Sequence, residues 1–291
     1  MTTLRDTAFA KINLTLAVHG RRADGFHEIE SLIAFAALGD DVTLEPGEAL
    51  DLAVEGPFAG ALAGDNLVIA AAQAAKALHP ELRLGRFRLV KNLPVAAGLG
   101  GGSAAAAAAL RLLARANRGA LSETALASLA PELGSDVAVC LDSRPAMITG
   151  RGERVKPVAD FPSCGVLLAN PGVPLATQDV YAALGAEPLA AAADVEAPNF
   201  DGDFARLMDY VASRGNALQA PATRLVPKIE DVLAALSRLD GARIARLTGS
   251  GPTCFALFST EDEAKRAAAS LTRQHPDWWI AASSLQPRTG G

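Results

Sequence analysis

The sequence predicts two α+β domains. Strand and helix patterns are mixed in both halves without strict alternation, and the 291-residue chain suits two modest domains. A second set of elements also begins near residue 160, so the expected domains are 1–160 and 161–291. Residues 7–19 read as a strand with a polar interruption at Lys11 and Asn13, and 31–38 and 41–45 as two more strands. Residues 66–78 are Ala-rich and helical, and 86–91 alternate as a short strand. A Gly-rich loop then leads into an Ala/Leu helix over about 103–117. Ser122 and Glu123 open a further helix that Pro131 closes. In the second half, 166–169 is an apolar strand stopped by Asn170-Pro171-Gly172. The Ala-rich stretch 183–198 reads as a mobile loop. Helices are expected at 203–213, 228–239 and 261–274. Strands are expected at 243–248 and 254–258, around a Gly-Ser-Gly turn, and at 278–282.

The net charge of −5 and the absence of a basic stripe argue against a nucleic-acid or membrane-surface protein. No apolar stretch is long enough to span a bilayer and residues 1–6 carry no apolar signal region, so the expected location is cytoplasmic. Cys140, Cys164 and Cys254 match no metal or redox spacing and read as buried, reduced thiols; no protein metal site is expected.

The strongest chemical signal is the run Leu93-Pro94-Val95-Ala96-Ala97-Gly98-Leu99-Gly100-Gly101-Gly102-Ser103, entering a helix directly. Glycine permits positive φ and close approach to a ligand, and free N–H groups at a helix start favour an anion such as phosphate. Ser103 stands where a helix cap is expected. A P-loop is excluded because no Gly-Lys-Ser/Thr follows, and a dinucleotide fingerprint because no acidic residue ends a following strand. Lys11-Ile12-Asn13 is either a polar pair on an edge strand or a functional pair. Gly20-Arg21-Arg22-Ala23-Asp24-Gly25-Phe26-His27 is a basic turn with an aromatic residue and a histidine, which a solvated hairpin would also explain. Asp136, ahead of an apolar run, is either a local cap or a general base for a hydroxyl. Leu247-Thr248-Gly249-Ser250-Gly251-Pro252-Thr253 is a plain hairpin turn or a second phosphate loop.

In this order, these segments resemble the GHMP kinases, over about residues 8–260. The Arg-Arg-x-Asp-Gly-aromatic-His run is specific to the branch acting on a cytidine diphosphate-linked alcohol. The resemblance implies an N-terminal ribosomal-S5-like domain and a C-terminal ferredoxin-like domain, with both substrates in the cleft between them. It implies ATP-dependent phosphorylation of the 2-hydroxyl of the methylerythritol unit, in non-mevalonate isoprenoid precursor synthesis. Asp136 would be the base and Lys11 its electrostatic partner. Phe26 and Tyr181 would flank the cytosine, with His27 at its edge, and Asn13 and Thr177 would contact the same substrate. The run from Pro94 to Ser103 would hold ATP, with Asn66 and Lys91 near the nucleotide base. Mg²⁺ would be delivered with ATP, and the protein would be a monomer or weak homodimer. Departures from the family pattern are Phe26 in place of tyrosine, Ala104-Ala105 in place of polar residues after Ser103, and Ala138-Val139 after Asp136-Val137.

Overall fold

The computed structural model describes residues 2–62, 64–191 and 195–285. Contacts group the chain into two compact units. One comprises the chain up to Lys11, Leu38–Val95 and Gly100–Ser143; the other comprises Ile12–Ala37, Ala96–Leu99 and the chain from Arg144 onward.

In the first unit, strand β1 (Leu4–Asn13) pairs with β3 (His27–Glu45), and both run on into the second unit. Residues 31–38 and 41–45 are therefore one strand and not two. Gly39 does not break it; a Cβ there would lie 2.2 Å from the Ala8 carbonyl oxygen, so the glycine serves the close approach of β1. Strand β5 (Arg86–Val90) joins β3 antiparallel, and β4 (Asp51–Glu55) joins β5 parallel. The sequence reading missed β4. Helices α1 (Leu67–Leu78), α2 (Gly101–Ala116), α3 (Glu123–Leu133) and α4 (Val137–Asp142) pack together. Ala104–Ala109 are all buried in α2, since a side chain of one methyl lets neighbouring helices approach while keeping high helix propensity. Ser122 caps α3 through the Ala125 N–H, but Pro131 lies inside that helix, which continues to Leu133.

In the second unit, β2 (Ala17–Arg21) is separate from β1, so residues 7–19 are two strands with a break at Leu14–Leu16. Arg246 fills that break: its buried Nη1 donates to the Leu14 and Val211 carbonyls, each at 2.9 Å. Strands β2 and β6 (Ala146–Gly150) pair antiparallel with the N-terminal half of β3, and β7 (Arg154–Pro157) forms a hairpin with β6. A four-stranded antiparallel sheet follows: β11 (Trp279–Leu285), β8 (Cys164–Asn170), β10 (Cys254–Phe258) and β9 (Ile244–Leu247), in that spatial order. With α5 (Thr177–Leu184), α6 (Phe204–Ala212), α7 (Gln219–Leu225) and α8 (Lys228–Ser237) between β8 and β9, and α9 (Glu261–Gln274) between β10 and β11, this is a ferredoxin-like β-α-β-β-α-β arrangement. Its core joins Leu167, Ala256 and Phe258 of the sheet to Ile229, Leu236 and Leu271 of the helices. Each of the Leu, Ile and Phe side chains among these contributes roughly 1.5–3 kcal/mol on burial. The stretch read as a loop from 183 begins inside α5, and its residues 192–194 lie outside the described residues.

Candidate active site

Lys11 lies in β1, and Asp136 immediately precedes α4. Lys11 Nζ meets Asp136 Oδ2 at 2.8 Å; the lysine side chain is 6% exposed and the aspartate 32%. The ammonium is enclosed, while the carboxylate faces open space. The Asp136 side chain does not cap α4, so the pair with Lys11 is its contact in the structure. The lysine stem runs along Gly100, where a Cβ would come within 3.2 Å of Lys11 Cβ and Cε.

Gly100, with φ 64°, is the N-cap of α2, and the helix starts at Gly101. Ser103 is therefore in the first turn and not at the cap, as the sequence had suggested. A side-chain cap is unnecessary here, because glycine supplies the left-handed turn directly. The N–H groups of Gly101, Gly102 and Ser103 have no acceptor within the helix and form an anion-favouring cradle. Ala104 and Ala105 are buried, so the methyls that replace polar residues face inward. Pro94 and Val95 are half-buried ahead of the turn. Asn66 caps α1 by accepting the Val68 N–H at 2.9 Å. Leu67, next to it, is 3.3 Å from where a Gly102 Cβ would stand. Lys91 is buried, its Nζ 2.5 Å from Asp40 Oδ2.

In the second unit, Ala96 (φ 52°) and Gly98 (φ 74°) turn the segment Ala96–Leu99. Ala97 and Leu99 are buried, and the Ala97 carbonyl accepts the Thr253 N–H. A Cβ on Gly98 would strike the Thr248 carbonyl oxygen at 2.5 Å. The Thr248 hydroxyl accepts the Asn13 N–H at 3.0 Å. Asn13 is buried and donates through Nδ2 to Ser31 at 2.8 Å. Its Oδ1 is a buried acceptor with no partner among the described residues, so one strong acceptor is held ready beside Gly249, whose Cβ position lies 3.3 Å away. Thr177, at the start of α5, shares a 2.8 Å hydroxyl contact with Ser250.

The turn from Arg22 to Phe26 is closed by the Arg22 N–H bonding the Phe26 carbonyl at 2.8 Å. Phe26 is 49% exposed, and the Arg151 guanidinium lies 4.7 Å from its ring centre. His27 stacks on Tyr181 at 4.5 Å. The structure thus pairs Tyr181 with His27, and Phe26 with Arg151. Burial lowers the His27 pKa below its usual value, and the Arg21 charge adds to that effect. Beneath the turn, buried Glu28 accepts from Arg22 Nη1 at 2.6 Å and from Arg154 Nη2. Glu153 accepts the Arg151 N–H at 2.6 Å, which orders the turn between β6 and β7.

Asp40 and Glu28 were not singled out from the sequence, and Thr248 and Ser250 entered only as members of a run that a plain hairpin turn would also explain. The available signal was a carboxylate inside an apolar strand, at Asp40 and Glu28, because a buried charge requires a partner. The two hydroxyls differ in no visible way from ordinary turn residues.

The GHMP kinases N terminal domain matches residues 66–144, and the GHMP kinases C terminal family matches 191–277. A 4-diphosphocytidyl-2-C-methyl-D-erythritol kinase of Rhodopseudomonas palustris is 48% identical, over 97% of each chain. One of Bradyrhizobium diazoefficiens is also 48% identical, covering 98% of this chain and 99% of its own. A crystal structure of 4-(cytidine 5'-diphospho)-2C-methyl-D-erythritol kinase superposes with TM-score 0.77 at 32% identity, covering 99% of this chain and all of its own. The chain belongs to the 4-diphosphocytidyl-2-C-methyl-D-erythritol kinase family of GHMP kinases. The fold is shared more widely: a homoserine kinase from Cytophaga hutchinsonii matches with TM-score 0.68 at 16% identity.

Proposed function

We propose that this chain transfers the γ-phosphoryl group of ATP to the 2-hydroxyl of 4-diphosphocytidyl-2-C-methyl-D-erythritol, in non-mevalonate isoprenoid precursor synthesis. The observation that carries the chemistry is the Lys11–Asp136 pair, closed on the lysine side and open on the carboxylate side. Asp136 takes the proton of the acceptor hydroxyl as its oxygen bonds the γ-phosphorus. The bond from that phosphorus to the β–γ bridging oxygen breaks, and ADP leaves. Such a transfer depends mainly on positioning and charge stabilisation. Lys11 orients the carboxylate, and the N–H groups of Gly101, Gly102 and Ser103 receive phosphate oxygens. The preceding residues, Pro94 to Gly100, shape the loop, and Asn66 keeps its amide nitrogen for the nucleotide base.

The open Oδ1 of Asn13 suits a hydroxyl donor of the acceptor, and Thr177 is steadied by Ser250. Phe26, His27 and Tyr181 form the aromatic group for the cytosine; Phe26 stacks without the hydroxyl that tyrosine would bring. Mg²⁺ arrives with ATP. The carboxylates beside the helix start are already engaged, Asp136 on Lys11 and Asp40 on Lys91, and the ion readily takes phosphate and water oxygens. The division at residue 160 is proposed as one between inherited modules, supported by family segments on either side of it. A cytoplasmic location is proposed with it; no described helix is long and apolar enough to cross a membrane. ADP release measured with 4-diphosphocytidyl-2-C-methyl-D-erythritol, homoserine and mevalonate tests the assignment. Turnover confined to the cytidylyl substrate is expected; preference for either of the others overturns it.

A further inference from the structure

Behind the start of α2 lies a polar cluster for which the phosphoryl transfer itself has no use. Asp40 is fully buried in β3, and Lys91 nearly so at the end of β5. One oxygen of Asp40 holds the Lys91 ammonium at 2.5 Å. The other, Oδ1, accepts the N–H groups of Asn92 and Leu93, both at 2.8 Å. Asn92 also donates to the Gly39 carbonyl and to Asp41, each at 3.2 Å. The Lys91 carbonyl in turn accepts the Phe58 N–H at 3.2 Å. The backbone entering the Gly-rich loop is therefore fastened at successive residues to a single carboxylate.

The cluster also touches the far end of that loop. A Cβ on Gly101 would stand 3.2 Å from Lys91 Nζ, 3.5 Å from Asp40 Oδ2 and 3.9 Å from Leu93 Cδ1. Gly101 is not in the left-handed region, so backbone conformation does not call for a glycine here. What calls for it is the ion pair, which occupies the space a side chain would need. A lysine charge at a helix N-terminus is unfavourable by itself. With Asp40 beside it the pair is neutral, and it becomes a fixed surface on which the helix start rests.

We infer that Lys91 and Asp40 form a buried clamp that sets the position of the phosphate-binding loop. Lys91 thus acts on nucleotide affinity through Asp40 and the backbone, as a positioning residue and not as a ligand. The inference rests on the reading that the start of α2 receives the ATP phosphates. Removing the ammonium alone leaves a buried unpaired carboxylate, which must draw water or shift, and the loop moves with it. Replacing both charges together leaves a neutral amide that can still accept the N–H groups of Asn92 and Leu93.

The test is isothermal titration of Lys91→Met and of the double variant Lys91→Met/Asp40→Asn with a non-hydrolysable ATP analogue and, separately, with cytidine diphosphate. The single variant is expected to weaken the analogue by about tenfold or more, in line with the penalty for an unpaired buried charge. The double variant should recover most of that loss, and cytidine diphosphate affinity should stay unchanged in both. If the double variant stays as weak as the single, the lysine is a direct ligand and the clamp is overturned. Unchanged analogue affinity in Lys91→Met overturns it as well. Should Lys91→Met fail to fold, the uncharged double variant decides: near wild-type analogue affinity supports the clamp, and lost affinity overturns it. Failure of the wild type to bind the analogue refutes the phosphate-loop reading itself, a result distinct from any of these.

Discussion

Asp136 presents one oxygen to Lys11 and leaves α4 uncapped by its side chain, so its removal is not expected to unravel that helix. Asp136→Asn should remain folded and bind both substrates while kcat falls by roughly 10²–10⁴, the usual worth of a positioned base. Near wild-type turnover would refute the role. His27 offers a second measurement at this scale. Burial, and then the Arg21 charge, lower its pKa from the usual 6.5. Between the folded value and 6.5 the unfolded chain binds more protons, so stability rises with pH in that window and is lost as pH falls through it. Denaturant titrations at stepped pH should show this dependence below 6.5, and His27→Phe should flatten it. If the variant retains the same slope, His27 is not its source. Among individual residues, Lys11, Asp136 and the glycines were legible in the sequence, because a charge or a glycine run in an apolar setting is conspicuous. The contact between Tyr181 and His27 was not: the two residues are 154 positions apart, and only folding brings them together.

At the level of elements, the 21–27 turn depends on Glu28, which gathers Arg22 from the end of β2 and Arg154 from the start of β7. Glu28→Ala should raise the KM for the cytidylyl substrate by roughly 10- to 100-fold through misplacement of the aromatic group, with the ATP KM unchanged. Steady-state kinetics with each substrate varied in turn would show whether both constants move together, which would mean a general loss of structure. In α2 the inward-facing Ala104 gives a contrasting case. Ala104→Ser should leave nucleotide affinity as it is and lower stability by about 1 kcal/mol, because a buried hydroxyl gains little from bonding back to its own helix. Tighter nucleotide binding in that variant would mean the position reaches the ligand after all. Helix α9 was read to the residue, since the Thr260–Glu263 capping box marks its start. Helices α5 and α7 were missed: both are short, and α7 carries Pro221 within its seven residues. Strand β3 was cut in two because Gly39 looks like a breaker when its neighbour in β1 is unknown.

Over the whole molecule, all three cysteines are buried and free. Burial pushes the thiols of Cys140 and Cys164 up to about 12 and raises that of Cys254 as well. The native protein should therefore resist a thiol-specific chromogenic reagent at pH 8, and all three thiols should react once it is denatured. A thiol that reacts rapidly in the native state would contradict the burial. Two α+β bodies could be read from element patterns, but the membership of each could not. Strand β3 and the Gly-rich loop each contribute to both units, and spatial contact, not sequence position, decides which residues share a unit.

Gly39 bears on how tolerance maps of this chain should be interpreted. It lies in β3 directly before Asp40, and no step of the phosphoryl transfer involves it. Yet a single added methyl would stand 2.2 Å from the Ala8 carbonyl oxygen, a backbone atom that cannot swing aside as a side-chain tip can. In a growth selection scoring every substitution, Gly39→Ala should be as damaging as loss of Asp136. The purified proteins should differ: Asp136→Asn inactive but folded, Gly39→Ala poorly folded at any temperature that supports growth. Selection alone would enrol both positions as active-site residues; a melting curve separates them.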